Sequence, residues 1–167
     1  MAVRRPLQVE QELLEAFVHS GRVTEYLVAA LPARLWRATP PGGRGRSIAA
    51  IVAHMQSLRR GFARFGGARP GAPALDRRTI RQAQALRAMR QSTDDLAGLF
   101  AAAIAGGRAR VPGMPRRVVD MLVYLLEHDA HHRGQVAMLA ADLGHRFSRE
   151  DVMRMWGWKK LPEPRQG

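Results

Sequence analysis

The chain has 167 residues and no cysteine, which excludes disulfide frameworks, cysteine nucleophiles and cysteine-based zinc or iron–sulfur sites. A chain of this length fits one domain and can bury about two-thirds of its unfolded surface, so folding requires neither a disulfide nor a metal. The 27 basic and 14 acidic residues give a net charge of +13, which taken alone favours nucleic acid or another acidic partner.

Two helices are predicted in the first part of the chain. Over residues 7–31, apolar side chains recur at steps of three and four, and Pro32 follows where a helix stop is expected. Gly21 lies inside this segment and should cost about 1 kcal/mol relative to alanine. Residues 38–46 are rich in proline and glycine and predict a loop, after which Ser47 is a suitable N-cap for the second helix.

A third helix is predicted after the glycine- and proline-rich stretch of residues 66–75. Its apolar period begins at Asp76 or Thr79 and continues to residue 105. The polar run of residues 92–95 in its middle predicts either a kink or a new helix cap.

A fourth helix is predicted from about residue 116 to residue 143, where Gly144 is a natural C-cap. A short fifth helix should follow Ser148, because Ser148 and Asp151 have the spacing of a capping box. Trp156 and Trp158 are expected to pack the tail back onto the body of the protein.

These segments predict an all-α fold, since no alternating pattern typical of strands accompanies them. Four long amphipathic helices with connections of intermediate length indicate a four-helix bundle with a short C-terminal helix. We predict a single domain over residues 1–167, with the bundle in residues 7–145 and an extension in residues 146–167. The loops near residues 38–46 and 66–75 are long enough for more than one topology, and their lengths do not choose between them.

A soluble cytoplasmic protein is expected. No apolar run reaches the ~18–20 residues that a membrane-spanning helix needs. Polar residues also interrupt the N-terminal apolar segment, unlike the core of a signal peptide; they are Gln8, Glu10, Gln11 and Glu12.

Three of the six histidines lie in the string EHDAHHRGQ, residues 127–135. His128 and His132 are four residues apart, so on a helix they stack on one face at a spacing that suits two ligands of one metal ion. That face also carries apolar side chains and should point into the bundle, whereas His131 lies off it and should be exposed. The apolar neighbours are Met121, Leu125, Val136 and Leu139.

His54 lies on the apolar side of the second helix, where a buried imidazole needs a polar partner. His128 and His132 across the bundle would complete a three-histidine metal site, and a hydrogen-bonded core histidine is the alternative. No inward-facing aspartate or glutamate completes a di-iron site of the bundle type, because Glu-x-x-His motifs are absent. The residue after His128 is Asp129, which also excludes an HExxH protease. Three histidines with open positions would be the catalytic style of coordination.

The string HDAHHRGQ resembles the signature of the DinB/YfiT-like superfamily, and residues 31–55 are similar to that family's first loop and second helix. The resemblance covers nearly the whole chain. It implies a four-helix bundle that holds a divalent metal, usually nickel or zinc, on histidines that correspond to His54, His128 and His132. Members are often homodimers. Characterised relatives include thiol-dependent S-transferases and a mycothiol-dependent maleylpyruvate isomerase, and the shared metal motif does not choose among them.

Arg133, Gly134 and Gln135 match the end of the family motif. Gly134 would allow a close approach of helices beside the site. Gln135 could hydrogen-bond a neighbouring helix or a ligand imidazole, and both Arg133 and Gln135 are candidates to contact the substrate. The alternative for Arg133 and Gln135 is that they cap and cross-link helices.

Residues 32–90 contain 13 arginines and one aspartate, so the positive charge is concentrated there. Arg59, Arg60 and Arg64 follow His54 on the same helix and could bind an anionic substrate or the carboxylates of an external thiol, with Arg59 as the first candidate. A solvated helix face is the alternative. Because 25 of the 27 basic residues are arginine, the excess can also reflect the codon bias of a GC-rich genome.

Three functions remain open at this point. The first is a metal-dependent enzyme of the hydrolase or thiol-dependent S-transferase kind, since a metal ion on three imidazoles could lower the pKa of a bound water or thiol. Such an enzyme would act on a small molecule, and any thiol would come from outside the chain. The second is a non-catalytic stress-response or nucleic-acid-binding protein, although no helix-turn-helix signature or basic–aromatic array is present. The third is a bundle with a purely structural metal.

Overall fold

The computed structural model describes residues 7–162, in which five α-helices and no strand are found. The helices are α1 (Val9–Ala29), α2 (Ile48–Phe65), α3 (Gln82–Ala105), α4 (Val118–Asp142) and α5 (Arg149–Met155). The predicted all-α bundle with a short C-terminal helix is confirmed. No helix in the described range is long and apolar enough to cross a lipid bilayer. The predicted domain of residues 1–167 also includes residues 1–6 and 163–167, which lie outside the described range.

Two helices begin at the caps that the sequence predicts. The Ser47 hydroxyl accepts a hydrogen bond from the Ala50 amide at 3.3 Å and starts α2. At α5, the Ser148 hydroxyl accepts from the Asp151 amide, and the Asp151 carboxylate accepts from the Ser148 amide, each at 3.1 Å. These reciprocal bonds satisfy amide groups that have no partner inside the helix.

The third helix begins later than predicted, at Gln82 rather than at Asp76 or Thr79. The Asp76 carboxylate accepts bonds from the Arg78 amide at 2.9 Å and from the Thr79 hydroxyl at 3.0 Å. An aspartate that bonds its own following backbone stabilises a turn in competition with a helix. The helix therefore starts only beyond this turn, where the Arg81 amide donates to the side chain of Gln84 at 3.0 Å.

The polar run of residues 92–95 neither kinks nor caps α3, which continues through it to Ala105. The hydroxyls of Ser92 and Thr93 donate to the Met89 carbonyl at 2.9 and 3.0 Å. Both side chains are thereby satisfied within the helix, so this run does not end it.

The four long helices do not follow a simple up-and-down order around the bundle. α1 packs against α3 and α4, and α2 packs against the same two helices, so α1 and α2 lie on one diagonal. The C-terminal halves of α1 and α4 share a core with the N-terminal halves of α2 and α3. The helices therefore run up, down, down and up, and the connection between α1 and α2 crosses the end of the bundle.

The interior consists of two apolar cores. The Trp36 core contains large side chains from one end of the bundle, namely Leu27, Leu31, Trp36, Ile48, Met55, Met89 and Val136. The Phe17 core occupies the other end with Leu14, Phe17, Leu96, Phe100, Met121, Leu122 and Leu125. The Trp36 indole also donates a hydrogen bond to the Ile80 carbonyl at 2.9 Å, which fixes the chain before α3 to this end.

Between the two cores, each long helix contributes buried polar side chains. We call this set the polar layer, and it comprises Ser20, Thr24, Gln56, Arg59, Ser92, Thr93, Asp129 and His132, with the largely buried Arg133. On every helix these residues fall between the stretch that enters one core and the stretch that enters the other. The polar layer therefore crosses the whole bundle at one level.

The C-terminal tail does not pack back through its tryptophans, as the sequence suggested. Trp156 and Trp158 are 76% and 75% exposed, because α5 ends at Met155 and Gly157, at a φ of 77°, turns the chain away. The contact with the body comes from α5 itself. Met155 packs against the Trp36 core, and the Tyr26 hydroxyl donates to the Asp151 carboxylate at 2.7 Å.

Candidate metal centre

Three histidines meet at the level of the polar layer, on the side where α2 faces α4. His54 comes from α2, whereas His128 and His132 come from successive turns of α4. The Nε2 atom of His128 lies 3.4 Å from that of His54 and 3.1 Å from that of His132. The ligating atoms of all three lie within 4.8 Å of one another, so the structure brings together the three histidines singled out in the sequence.

The donor atoms fit a small divalent cation. An unprotonated imidazole nitrogen directs a lone pair outward, and such nitrogens repel one another at about 3 Å unless a proton or a cation lies between them. Two nitrogens bound to one zinc ion at about 2.0–2.1 Å with tetrahedral angles lie roughly 3.3 Å apart. The observed separations of 3.1 and 3.4 Å are close to that value. The cluster is thus compatible with metal binding.

Gln135 orients one of the three rings. Its Oε1 accepts a hydrogen bond from Nδ1 of His132 at 2.8 Å, and its Nε2 donates to Nε2 of the exposed His131 at 2.9 Å. Because an amide oxygen can only accept, the proton of His132 lies on Nδ1, and its Nε2 is free to bind a metal. A ligand imidazole is one of the two hydrogen-bond partners that the sequence predicts for Gln135, the other being a neighbouring helix.

The surroundings of the site keep two of these imidazoles neutral. Burial lowers the pKa of His54, and the charges of Arg46 and His128 lower it further. Burial also lowers the pKa of His132 and outweighs the hydrogen bond to Gln135, which acts in the opposite direction. Both rings therefore carry a free lone pair at neutral pH, which metal binding requires.

Asp129 and Arg59 form a buried ion pair directly behind the histidines. The Arg59 guanidinium donates to Oδ2 of Asp129, to the Thr93 hydroxyl at 2.7 Å and to the Met89 carbonyl at 3.4 Å. Burial would raise the pKa of the Asp129 carboxyl, but the charge and hydrogen bond of Arg59 prevail and hold it below its usual value. Both side chains are shielded from solvent. Arg59, the first candidate for substrate binding, therefore contacts protein groups inside the bundle rather than the mouth of the site.

Arg133 joins helices, which is the alternative that the sequence left open for it. Its guanidinium donates to the Ser20 hydroxyl at 2.7 Å, the Ser20 carbonyl at 3.3 Å and the Thr24 hydroxyl at 3.2 Å. Burial lowers the pKa of this guanidinium. Arg133 thus ties α4 to α1 beside the metal centre, while a contact with substrate stays a prediction.

The close approach of helices occurs at Gly21 and not at Gly134. A Cβ atom built at Gly134 would meet nothing within 4 Å, so the expected packing role of this glycine is wrong. A Cβ atom at Gly21 would lie 2.8 Å from the Thr93 hydroxyl oxygen, which is tighter than atoms pack. Glycine at position 21 therefore lets α1 and α3 approach each other beside the polar layer.

Sequence reasoning missed one inward-facing acid, Asp129, which is fully buried and pairs with Arg59 instead of joining the three histidines. A signal for this was present in the sequence. Leu122, Leu125, Asp129, His132 and Val136 follow one another at steps of three and four, which is the spacing of a single helix face. An acid at the centre of such a stripe has to be paired inside the protein.

The basic segment lines a surface groove away from the histidines. Arg60, Arg64 and Arg69 surround a groove of about 480 Å³ together with the loop of residues 67–73. The Nε of Arg60 donates to the Ala72 carbonyl at 3.1 Å and so holds its side chain against this loop. His54, His128 and His132 do not line this groove.

Comparison with known proteins agrees with this geometry. The sequence has no significant match among curated proteins. The model of the DinB family matches residues 5–165, which is nearly the whole chain and includes all three histidines and the Arg-Gly-Gln that follows them. The protein with this four-helix bundle and three-histidine cluster therefore belongs to the DinB family.

Proposed function

We propose that this protein is a metal-dependent enzyme in which His54, His128 and His132 bind one divalent cation. The observation that carries the proposal is the convergence of three imidazole Nε2 atoms, with separations of 3.1 and 3.4 Å, between two helices. Membership of the DinB family supports it independently of the geometry. Nickel and zinc are the proposed metals, because imidazole ligands suit both.

The composition of the site favours catalysis over a purely structural role. Structural zinc sites are closed by four protein ligands, whereas three ligands leave a position for an outside molecule. Among the described residues, no carboxylate and no fourth histidine joins this cluster. When bound, a divalent metal supplies Lewis acidity and lowers the pKa of a water or thiol that it binds.

The residues of the chain would position and shield this chemistry. Gln135 fixes the tautomer of His132. The ring of Tyr124 lies 5.9 Å from that of His128 and is packed in turn against Phe62, so an aromatic wall limits the access of water from one side. We propose a hydrolase or a thiol-dependent S-transferase that acts on a small, anionic molecule. Arg133 or Gln135 would contact this substrate. An external low-molecular-weight thiol would be required for transfer, since the chain has no cysteine.

A cytoplasmic location suits the transferase form of the proposal, because low-molecular-weight thiols are kept reduced there. The homodimer that the family resemblance implies stays a prediction. Sedimentation of the purified protein tests it directly.

The experiment is metal analysis of protein that was purified without a histidine tag, followed by calorimetric titration with zinc and nickel. We expect one metal ion per chain for the wild type, and loss of that ion in His54→Ala. His19→Ala is the matched control, because His19 is an exposed histidine on α1. Wild-type protein that binds neither metal would remove the proposal.

Nucleic-acid binding is the second candidate, and the groove formed by Arg60, Arg64 and Arg69 is what favours it. Backbone phosphate contacts would make the affinity for DNA fall steeply with salt. A gel-shift series from about 50 mM salt upward tests this, and no binding at the lowest salt concentration removes the candidate. Binding that survives Arg60→Met with Arg64→Met would place it elsewhere on the surface.

A further inference from the structure

Two buried polar atoms behind the histidines have no hydrogen-bond partner among the described residues, and they lie next to each other. They are Nδ1 of His128 and Oδ1 of Asp129. Their separation is 4.0 Å, which is too long for a hydrogen bond. Buried polar atoms are nearly always paired in native proteins, so the coincidence of two unpaired neighbours calls for an explanation.

The other nitrogen of the His128 ring faces the metal centre. Its Nε2 lies 3.1 Å from that of His132 and 3.4 Å from that of His54, which is close to the spacing of ligands around one ion. A neutral imidazole carries one ring proton, so Nδ1 can donate to Oδ1 of Asp129 only when the proton is not on Nε2.

Metal binding would fix the position of this proton. When Nε2 of a neutral imidazole binds a metal, the ring proton has to lie on Nδ1. In His128 that proton would point toward Oδ1 of Asp129, the neighbouring acceptor without a partner. A shift of about 1 Å would bring the two atoms within hydrogen-bond range.

The Asp129 carboxylate is held in place from its other side. Oδ2 accepts from Arg59, and the Arg59 guanidinium is itself fixed by the Thr93 hydroxyl at 2.7 Å and lies 5.6 Å from the centre of the Phe17 ring. A carboxylate fixed in this way can orient an imidazole, as carboxylate–histidine–metal arrangements commonly do.

We infer that Asp129 is a positioning residue of the metal centre: its Oδ1 accepts the Nδ1 proton of His128 when Nε2 binds the metal, and Arg59 holds the carboxylate for this task. The inference rests on the proposed metal-dependent function. Asp129 would thus accept the Nδ1 proton of His128 from the interior side of the site, as Gln135 accepts the Nδ1 proton of His132 from the surface side.

Two substitutions that break the same ion pair from opposite ends test the inference. Asp129→Asn should raise the Kd for zinc and nickel about 10- to 100-fold, because its amide group would donate to Nδ1 of His128 and keep the ring proton on Nε2. Arg59→Met removes the side chain that holds the carboxylate but leaves Oδ1 as an acceptor for His128, so its Kd should rise clearly less than that of Asp129→Asn. Asp142→Asn makes the same change at an exposed position of α4 and is the control.

The Kd values are measured by competition with a chromogenic chelator, beside the melting temperature of each metal-free variant. Equal weakening by Asp129→Asn and Arg59→Met would mean that the ion pair acts only on the fold, and would overturn the inference. A Kd unchanged in Asp129→Asn would overturn it as well, while leaving the proposed function intact. Wild-type protein that binds neither metal would contradict both the inference and the proposed function.

A measurement on the wild type keeps the inference testable if either variant fails to fold. In zinc-loaded protein labelled with ¹⁵N, the Nδ1 proton of His128 should resonate far downfield and exchange slowly with water, as a proton bonded to a buried carboxylate does. Rapid exchange of the His128 proton with water would contradict the inference.

Discussion

Arginine occurs in two contrasting settings in this protein. Arg59 and Arg133 lie in the polar layer, where each guanidinium has three hydrogen-bond contacts. Arg60, Arg64 and Arg69 instead surround a groove that is open to solvent. All except Arg133 belong to the basic segment of residues 32–90 that dominates the charge of the chain. The net charge thus counts together side chains that hold the fold and side chains that line a groove open to solvent.

The largest effect should come from breaking the buried ion pair. Arg59→Met leaves the Asp129 carboxylate buried without its partner, and breaking such a pair typically costs about 3–5 kcal/mol of the free energy of unfolding. Arg64→Met is the matched substitution at an exposed position of the same helix and should change it by less than about 0.5 kcal/mol. Urea denaturation of both metal-free variants provides the comparison. Similar losses for the two variants would mean that the buried ion pair contributes no more to the free energy of unfolding than an arginine at the surface.

Two of the glycines within helices, Gly21 and Gly134, should respond to alanine substitution with opposite changes in stability. Gly21→Ala would drive a methyl group into Thr93 and should destabilise the protein by about 1–3 kcal/mol. Gly134→Ala adds the same methyl group where nothing lies within 4 Å, and it should stabilise α4 by up to about 1 kcal/mol. Thermal unfolding of the two glycine variants measures both changes in stability. A stabilising Gly21→Ala would show that α1 and α3 can move apart at no cost.

Acidification below about pH 6.5 should weaken the metal-free fold. The folded protein lowers the pKa of His54 and His132 below the ordinary value of 6.5, so the unfolded chain binds protons first as the pH falls. The contribution of these rings to stability is complete above pH 6.5 and is lost as the pH falls below it. His54→Gln should reduce this dependence relative to the wild type. Equal slopes for the variant and the wild type, from denaturation curves at several pH values, would contradict the assignment.

The smallest effect is expected at the tail. Trp158 is 75% exposed, so Trp158→Ser should change the free energy of unfolding by less than about 0.5 kcal/mol. A larger loss, measured by urea denaturation, would mean that this side chain packs against something. A loss that depends on protein concentration would point to a second copy of the chain.

The sequence predicted features that depend on near neighbours and failed on those that depend on distant ones. The caps at Ser47 and Ser148 were predictable because the atoms involved lie three residues apart. The cluster of His128 and His132 followed from one helical turn, and His54 from the apolar face on which it lies. The order of the helices around the bundle was not predictable, since connections of the observed length permit several orders.

The site was predicted only in part for the same reason. The three histidines and the contact of Gln135 with an imidazole could be read from spacing within α4 and from the family resemblance. The partner of Asp129 is Arg59, 70 residues earlier in the chain, and no local pattern links the two. The turn at Asp76 is an exception, because its bonds span only two and three residues and the sequence there allows either this turn or an earlier helix start.

The polar layer has a consequence for how the four helices find their alignment. Apolar cores tolerate repacking among side chains of similar size, so the Trp36 and Phe17 cores alone would accept a helix displaced by one turn. Sliding α2 by a turn would carry Arg59 away from Asp129 and bury it among aliphatic side chains, leaving two unpaired charges. The charged and hydroxyl groups of the polar layer therefore fix the register of the helices. They select the one alignment of α2 on α4 in which His54 reaches the level of His128 and His132.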